Sequence, residues 1–269
     1  MSERGRETSS APFSAELIRR ADENYRELFR ALARLTPHGA IEEDNELLLV
    51  RSGPWLPLNN IAIVKQPPAH PAKVLERAEA FFAAYGQPCA LSATDDAAAA
   101  MAPVMARHGR SDDPSPGMIL SPLAGEPAAV PGLSVEPVSD LATLRQYNDT
   151  MTAGFGNAWA VDDLLEGRAL LDAPDLTHYL GVLDGRPVGT AMRFTSHRIA
   201  GVFNVSTVPD YRRRGIGAAL TWRAALDGLA QGCLASALQA STLGEPVYRG
   251  MGYRTVLTYH LWLPPDAAH

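Results

Sequence analysis

The run Ile199-Ala-Gly-Val-Phe-Asn-Val-Ser-Thr-Val208-Pro209-Asp-Tyr-Arg-Arg-Arg-Gly-Ile-Gly-Ala-Ala-Leu220 passes from one periodicity to another. Residues 199–208 are rich in β-branched and apolar side chains and predict a strand, which Pro209 closes by withholding an N–H. A helical pattern begins near Gly215, so the segment reads as strand, basic turn, helix. Such a turn aims free backbone N–H groups and the positive end of a helix dipole at one spot. Gly215 and Gly217 let an anion come close to the backbone there, which makes a phosphate cradle in outline.

Spacing separates the phosphate motifs that share this outline. A P-loop ends in Gly-Lys-Ser/Thr, whereas Gly217 is followed by Ala218 and Ala219. A dinucleotide fingerprint needs Gly or Ala three residues after its second glycine and an acid about 20 positions further on. Position 220 is leucine, and residues 234–240 contain no acid. What remains is Arg212-x-x-Gly215-x-Gly217 behind a strand, Pro209 and Tyr211. This pattern resembles the acyl-CoA signature of the GNAT superfamily of N-acyltransferases, (Arg/Gln)-x-x-Gly-x-(Gly/Ala).

The 269-residue chain is long enough for two domains, and its 46% apolar content can supply a core to each. The net charge of -6 argues against a nucleic-acid surface. Cys89 and Cys233 lie far apart in or beside apparent strands, which fits buried thiols in a reducing compartment. The polar first ten residues and the absence of a long apolar run place the protein in the cytoplasm, without a membrane partner.

Along the chain, Ser14 can cap a helix whose Leu17, Ala21, Tyr25, Leu28, Leu32 and Leu35 share one face. Strands are expected at 47–51 and 61–65, divided by a connection carrying Gly53, Pro54, Pro57 and Asn59. A helix over 72–85, a strand over 88–93, a helix over 95–108 and a short strand over 118–120 complete this half. Residues 122–132, with Pro122, Gly125, Pro127, Pro131 and Gly132, read as a linker. The domains are therefore set at 1–124 and 125–269.

The second half predicts a strand at 133–138, helices at 140–152 and 161–171, and a hairpin of 179–183 with 187–194 through Asp184-Gly185. The strand before the cradle follows, then a helix over 215–231, a strand over 234–240, a helix over 245–250 and a strand over 253–263. This order also resembles the GNAT fold. The resemblance implies an α/β (α+β) class with a mixed, mostly antiparallel sheet flanked by helices, preceded by a smaller, degenerate GNAT-like domain.

Pro103-Val104-Met105-Ala106-Arg107-His108-Gly109 aligns without gaps on Pro246-Val247-Tyr248-Arg249-Gly250-Met251-Gly252, which points to a duplication. The first half's counterpart of the cradle would be Gln66-Pro67-Pro68-Ala69-His70-Pro71. Its prolines lack N–H groups and it has no glycine, so it should hold no pyrophosphate.

In the second half, the resemblance implies that Val205, Ser206 and Thr207 present strand backbone to the pantetheine arm of acetyl-CoA. It implies that the amides of Arg213, Arg214, Gly215, Ile216, Gly217 and Ala218 hold the pyrophosphate, with the Arg212 and Arg214 side chains nearby. Tyr248 is then the general acid that protonates the departing sulfur, and an amide near Asn204 or Val205 faces the oxyanion. The family expects a polar residue, usually asparagine, seven positions before that tyrosine, where this chain has Ser241. Serine keeps a hydroxyl able to hydrogen-bond pantetheine.

The function implied is acetyl transfer from acetyl-CoA to a primary amine of a small molecule or peptide, without a metal, by a monomer or homodimer. No acid lies within 194–208 to act as a base, and His197 falls in a probable hairpin turn. Phe155 and Trp159 lie where the superfamily borders its acceptor site. A non-catalytic acyl-CoA-binding regulatory module is the alternative, and a nucleotide-dependent Rossmann-like half is a third.

Overall fold

The computed structural model describes residues 13–53, 60–123, 129–156 and 167–265. Helix α1 (Ala15–Leu35) begins at Ser14, whose hydroxyl accepts from the Leu17 amide at 3.2 Å. Strands β1 (Ala40–Glu43), β2 (Leu47–Arg51) and β3 (Asn60–Val64), helix α2 (Pro71–Ala83), strand β4 (Ala90–Thr94), helix α3 (Asp95–Arg107) and strand β5 (Ser111–Leu120) complete the first half. The second runs β6 (Leu133–Pro137), α4 (Leu141–Phe155), α5 (Arg168–Asp172), β7 (Leu176–Leu183), β8 (Arg186–Ser196), β9 (Ile199–Thr207), α6 (Ile216–Ala230), β10 (Ala235–Gln239), α7 (Glu245–Gly250) and β11 (Arg254–Leu263). Most of the expected elements are there. Strand β1 has no sequence expectation, because Ala40-Ile41-Glu42-Glu43 shows no alternation of apolar and polar residues. Of the helix expected over 161–171, residues 161–166 lie outside the described residues, as do Pro54, Pro57, Asn59 and Trp159, and α5 covers the remainder.

Among the described residues the strands join one 11-stranded sheet in the order β1-β2-β3-β4-β11-β5-β10-β9-β8-β7-β6. The pairings are antiparallel except β3 with β4 and β9 with β10, so the fold is mixed and largely antiparallel, with helices on its faces. From α1 to β5 the first half repeats the order that α4, β7, β8, β9, α6, β10, α7 and β11 follow in the second. The last strand of each series is exchanged: β5 pairs with β10, β11 pairs with β4, and β5 and β11 pair with each other from Ser111↔Leu263 to Ile119↔Arg254. The sheet is therefore continuous across the sequence linker.

The two series also share their cap geometry at the aligned segment. The Arg110 amide bonds Met105 O at 3.1 Å and the Tyr253 amide bonds Tyr248 O at 3.0 Å. Gly109 and Gly252 occupy the left-handed region at φ 66° and 96°, which places a helix stop before each exchanged strand. Met105 thus stands where the second half has Tyr248.

Alternate residues of each strand sort onto two faces, as a period of two requires. Leu47 and Leu49 pack with α2 and α3, whereas Leu48 and Val50 pack with Tyr25 and Phe29 of α1. In the second half, Val202 and Leu238 face α6 and α7, while Leu180, Met192 and Phe194 face α4 and α1. Helix α1 bridges the halves: Asn24 Nδ2 donates to the carbonyls of Phe194 at 3.2 Å and Ile199 at 3.3 Å. Among the described residues no helix is long and apolar enough to cross a membrane.

His178 on β7 is 1% exposed, and its ring meets Tyr147 of α4 edge-on at 5.0 Å. Burial lowers its pKa to about 4, so the folded protein keeps it neutral while the unfolded chain protonates it near 6.5. The unfolded state binds the extra proton between these values, so stability falls as pH drops from about 6.5 to 4. His178→Leu should flatten this part of the stability profile, read by urea unfolding at a series of pH values.

Candidate functional site

Strands β9 and β10 start as parallel neighbours and then separate. Their pairing covers Ile199–Gly201 against Ala235–Ala237, while β10 remains paired with β5 as far as Gln239. The cause lies on β9, where the register against β8 shifts between Thr190↔Ser206 and Met192↔Phe203, inserting one residue. Asn204 takes φ 51° in this bulge, a conformation that asparagine tolerates better than most side chains. Thr190 Oγ1 donates to Asn204 O at 2.8 Å and shares a 2.8 Å hydrogen bond with Ser206 Oγ. The strand is thereby bent away from β10, and a gap opens whose walls are 202–207 and the end of β10. The first half has no such gap, since β3 and β4 pair from Ile61↔Ala90 through Val64↔Ala93.

Beyond β9, a short 3-10 turn over Pro209–Tyr211 leads into the basic loop. Arg213 and Gly215 both adopt positive φ, at 64° and 82°. Gly215 is the N-cap of α6 and supplies no side-chain cap. Its carbonyl takes the Ala219 amide at 3.0 Å, so the amides of Ile216, Gly217 and Ala218 form the uncapped first turn. The Ile216 side chain is 1% exposed in the core, leaving only its backbone to the loop. A Cβ at Gly217 would be 3.7 Å from Thr207 Oγ1 and 3.8 Å from Val205 Cγ1, so this glycine borders the gap.

The arginines divide their work. Arg212 folds inward: its Nε donates to Thr207 O at 3.1 Å and its NH2 to Gly154 O at 2.8 Å, bracing the end of α4 against β9. Gly154 permits that approach, because a Cβ there would lie 2.5 Å from Ser206 Oγ. Arg214 lies over the Tyr211 ring at 5.2 Å, and both line a groove with Arg186, Asp184 and Asp210 beside the loop. Arg213 is exposed.

Side chains of Val205 and Thr207 face α6, whereas Ser206 is buried against α4, so Ser206 offers the gap its backbone alone. Ser241 is exposed, and its Oγ accepts from the Gly244 amide at 3.2 Å, closing the turn that starts α7. Tyr248 on α7 is 8% exposed and packs in the core cluster that holds Leu220, Ala224 and Ala225 of α6. Burial pushes its phenol up to about 12; on the facing helix, buried Thr221 donates its hydroxyl to Gly217 O at 2.8 Å. Tyr248 shares this core cluster with Val202 and Val205 of β9, Leu238 of β10 and Ile216 of the first turn of α6. Thr221 had no sequence expectation; the signal is a hydroxyl four residues after Gly217 on an otherwise apolar helix face. His197 and Arg198 form the left-handed turn between β8 and β9 at φ 51° and 60°, and His197 is exposed. Phe155 is 41% exposed at the end of α4.

The fold has relatives among solved structures. A GCN5-related N-acetyltransferase from Kribbella flavida is 23% identical, with 91% of this chain and 95% of that one covered at a TM-score of 0.68. A functionally unknown conserved protein from Staphylococcus epidermidis is 15% identical, with 84% and 94% covered at 0.63. A GCN5-related N-acetyltransferase from Sphaerobacter thermophilus is 16% identical, with 92% and 90% covered at 0.62. These likenesses extend over both halves of the sheet. No curated protein sequence matches the chain. Residues 143–257 match the model of the acetyltransferase (GNAT) family, a span that contains the bulge, the cradle and Tyr248. Over those residues the chain carries a domain of the acetyltransferase (GNAT) family.

Proposed function

We propose that the protein transfers an acetyl group from acetyl-CoA to a primary amine of a small molecule or peptide. The observation that carries this reading is the gap between β9 and β10, which opens beside the uncapped first turn of α6. A pyrophosphate fits the amides of Arg213–Ala218, whose donors and dipole favour an anion. The pantetheine arm then lies along 205–207, with its thioester at the bulge. Arg212 acts on this site by holding β9 and α4 together. Ser241 shapes the turn before α7 in the same indirect way.

The amine nitrogen attacks the thioester carbonyl and forms the C–N bond, while the C–S bond breaks. An amide of the bulge at 204–205 faces the developing oxyanion. Tyr248 gives its proton to the leaving thiolate, and the ammonium proton passes to water. Holding the two reactants in one gap supplies much of the rate enhancement. The first half is a repeat that binds no CoA: its paired β3 and β4 leave no gap, and Pro67, Pro68 and Pro71 replace amide donors. We retain 1–124 and 125–269 as the units of this duplication.

The reading predicts that acetyl-CoA raises the melting temperature of the full chain, with neither NAD nor ATP matching it at equal concentration. Binding to the native state stabilises it by RT ln(1 + [L]/Kd). Protection by NAD or ATP alone would contradict the reading and favour a nucleotide site.

A further inference from the structure

A second set of charged side chains lies beside the basic loop, on the side of β9 that faces β8. Val188 O takes the Val208 amide at 2.9 Å, so the start of β8 runs on beside the residues that follow β9. Arg186 opens that strand opposite Leu183, which packs in the cluster holding Ile216 and Leu220 of α6. Cross-strand partners share a face, so Arg186 stands past the end of the sheet next to the first turn of α6. Leu183, Asp184, Arg186, Asp210, Tyr211 and Arg214 line a groove of about 460 Å³ there, within the range of small-molecule pockets. Its hairpin wall is set by Asp184 and Gly185, both left-handed at φ 51° and 78°. On its loop wall the Arg214 guanidinium lies 5.2 Å over the Tyr211 ring and donates to Asp210 O at 3.4 Å, which leaves further N–H donors on the same fork. Arg186 is exposed, and among the described residues it has no ion pair.

We propose that this groove takes the 3′-phosphoadenosine end of acyl-CoA, with Arg186 and Arg214 on the 3′-phosphate. The proposal rests on the acyl-CoA reading of the cradle. Arg214 belongs to both places, since its side chain lines the groove while its backbone lies in the loop before α6. In CoA the diphosphate and the 3′-phosphate are carried by one ribose, so a second anion contact must lie about one sugar away from the first. Guanidinium forks suit a terminal phosphate, which they bind through paired charge-assisted hydrogen bonds. Tyr211 with Arg214 supplies a flat platform for a purine. Asp184 and Asp210 are acceptors only, and they match the donors of the same group, the adenine amino group and the ribose 2′-hydroxyl. Inorganic phosphate has no use for those carboxylates, so the mixed lining selects a nucleoside phosphate.

Calorimetric titration of the full chain with acetyl-CoA and with acetyl-3′-dephospho-CoA tests this, in the wild type and in Arg186→Ala. The wild type should bind the dephospho form about tenfold more weakly, the size of one charge-assisted hydrogen bond. Arg186→Ala should weaken acetyl-CoA by a similar factor while changing the dephospho form by less than about twofold, because the group it contacts is already missing. The wild-type preference should also narrow as salt is raised. An unchanged urea midpoint in the variant shows that the fold is kept. Equal affinity of the wild type for the two ligands would remove the groove from the site and leave the acyl-CoA reading standing. A full preference retained in Arg186→Ala, or equal losses for both ligands, would overturn the role of Arg186. Failure of both ligands to bind the wild type would overturn the groove and the acyl-CoA reading together.

Discussion

Acetyl-CoA binding should be lost in Gly217→Asp while the protein stays folded. Glycine at this position is not required by the backbone, which avoids the left-handed region, and a Cβ would meet Thr207 and Val205 at ordinary contact distances. An acidic residue in the first turn of a helix also complements the dipole, so α6 should keep its stability. The carboxylate would nevertheless stand at the mouth of the gap, where the pyrophosphate must sit. Two like charges about 4 Å apart near a protein surface repel by about 4 kcal/mol, or roughly a thousandfold in affinity. Calorimetric titration reads the loss, and an unchanged urea midpoint confirms the fold. Retained affinity would remove the cradle from the account.

Tyr248→Phe should lower turnover by about a hundredfold or more while sparing acetyl-CoA affinity. The ring remains in the cluster formed with Leu220 and Ala225, so only the hydroxyl is lost. Burial holds the phenol near 12, so it stays protonated throughout the working range and can serve a thiolate whose pKa is about 8.5. Wild-type turnover should therefore show no falling limb from Tyr248 below about pH 10, and should rise with pH as the acceptor amine loses its proton. Both substrates must be saturating, since weak acceptor binding would imitate a chemical defect. Turnover within a factor of about three of wild type would make Tyr248 a packing residue, far short of the usual acid effect.

The strand, basic turn and helix over 199–230 were legible because their signal is local. A proline, three arginines and two glycines at fixed offsets define strand, turn and helix without reference to the rest of the chain. The prolines at 67, 68 and 71 were equally legible as missing donors. The exchange of β5 and β11 was not, because alternation tells which face a residue takes but not which strand lies beside it. Strand β5 was expected only over 118–120, since Asp112, Asp113, Pro114 and Pro116 argue against a strand. Its first part exists because β11 supplies a partner along its whole length, with His260 Nδ1 2.8 Å from Asp112 Oδ2. Helix α1 gave its apolar stripe, but Asn24 within that stripe became intelligible only when β8 and β9 supplied carbonyls. Ser241 was matched to a cofactor contact by motif position, while in the structure its hydroxyl closes a turn. The bulge at Asn204 depends on pairing with β8 and so lies beyond a reading of β9 alone.

The exchanged strands also bear on experiments with fragments. Residues 125–269 alone would lose β5 from between β10 and β11, and α1 from β8 and β9. Tests of the site therefore belong on the full chain.

The most direct test of acetyl transfer is amine-dependent release of free thiol from acetyl-CoA by the full chain. A panel of diamines, amino acids, short peptides and aminoglycosides would be assayed beside Tyr248→Phe, with the acetylated amine identified by mass. The account predicts thiol and acetyl-amine appearing in equal amounts with at least one acceptor class, and slow release in the variant. Tight acetyl-CoA binding with no amine-dependent release across the panel would contradict it, and would leave a non-catalytic acyl-CoA-binding module.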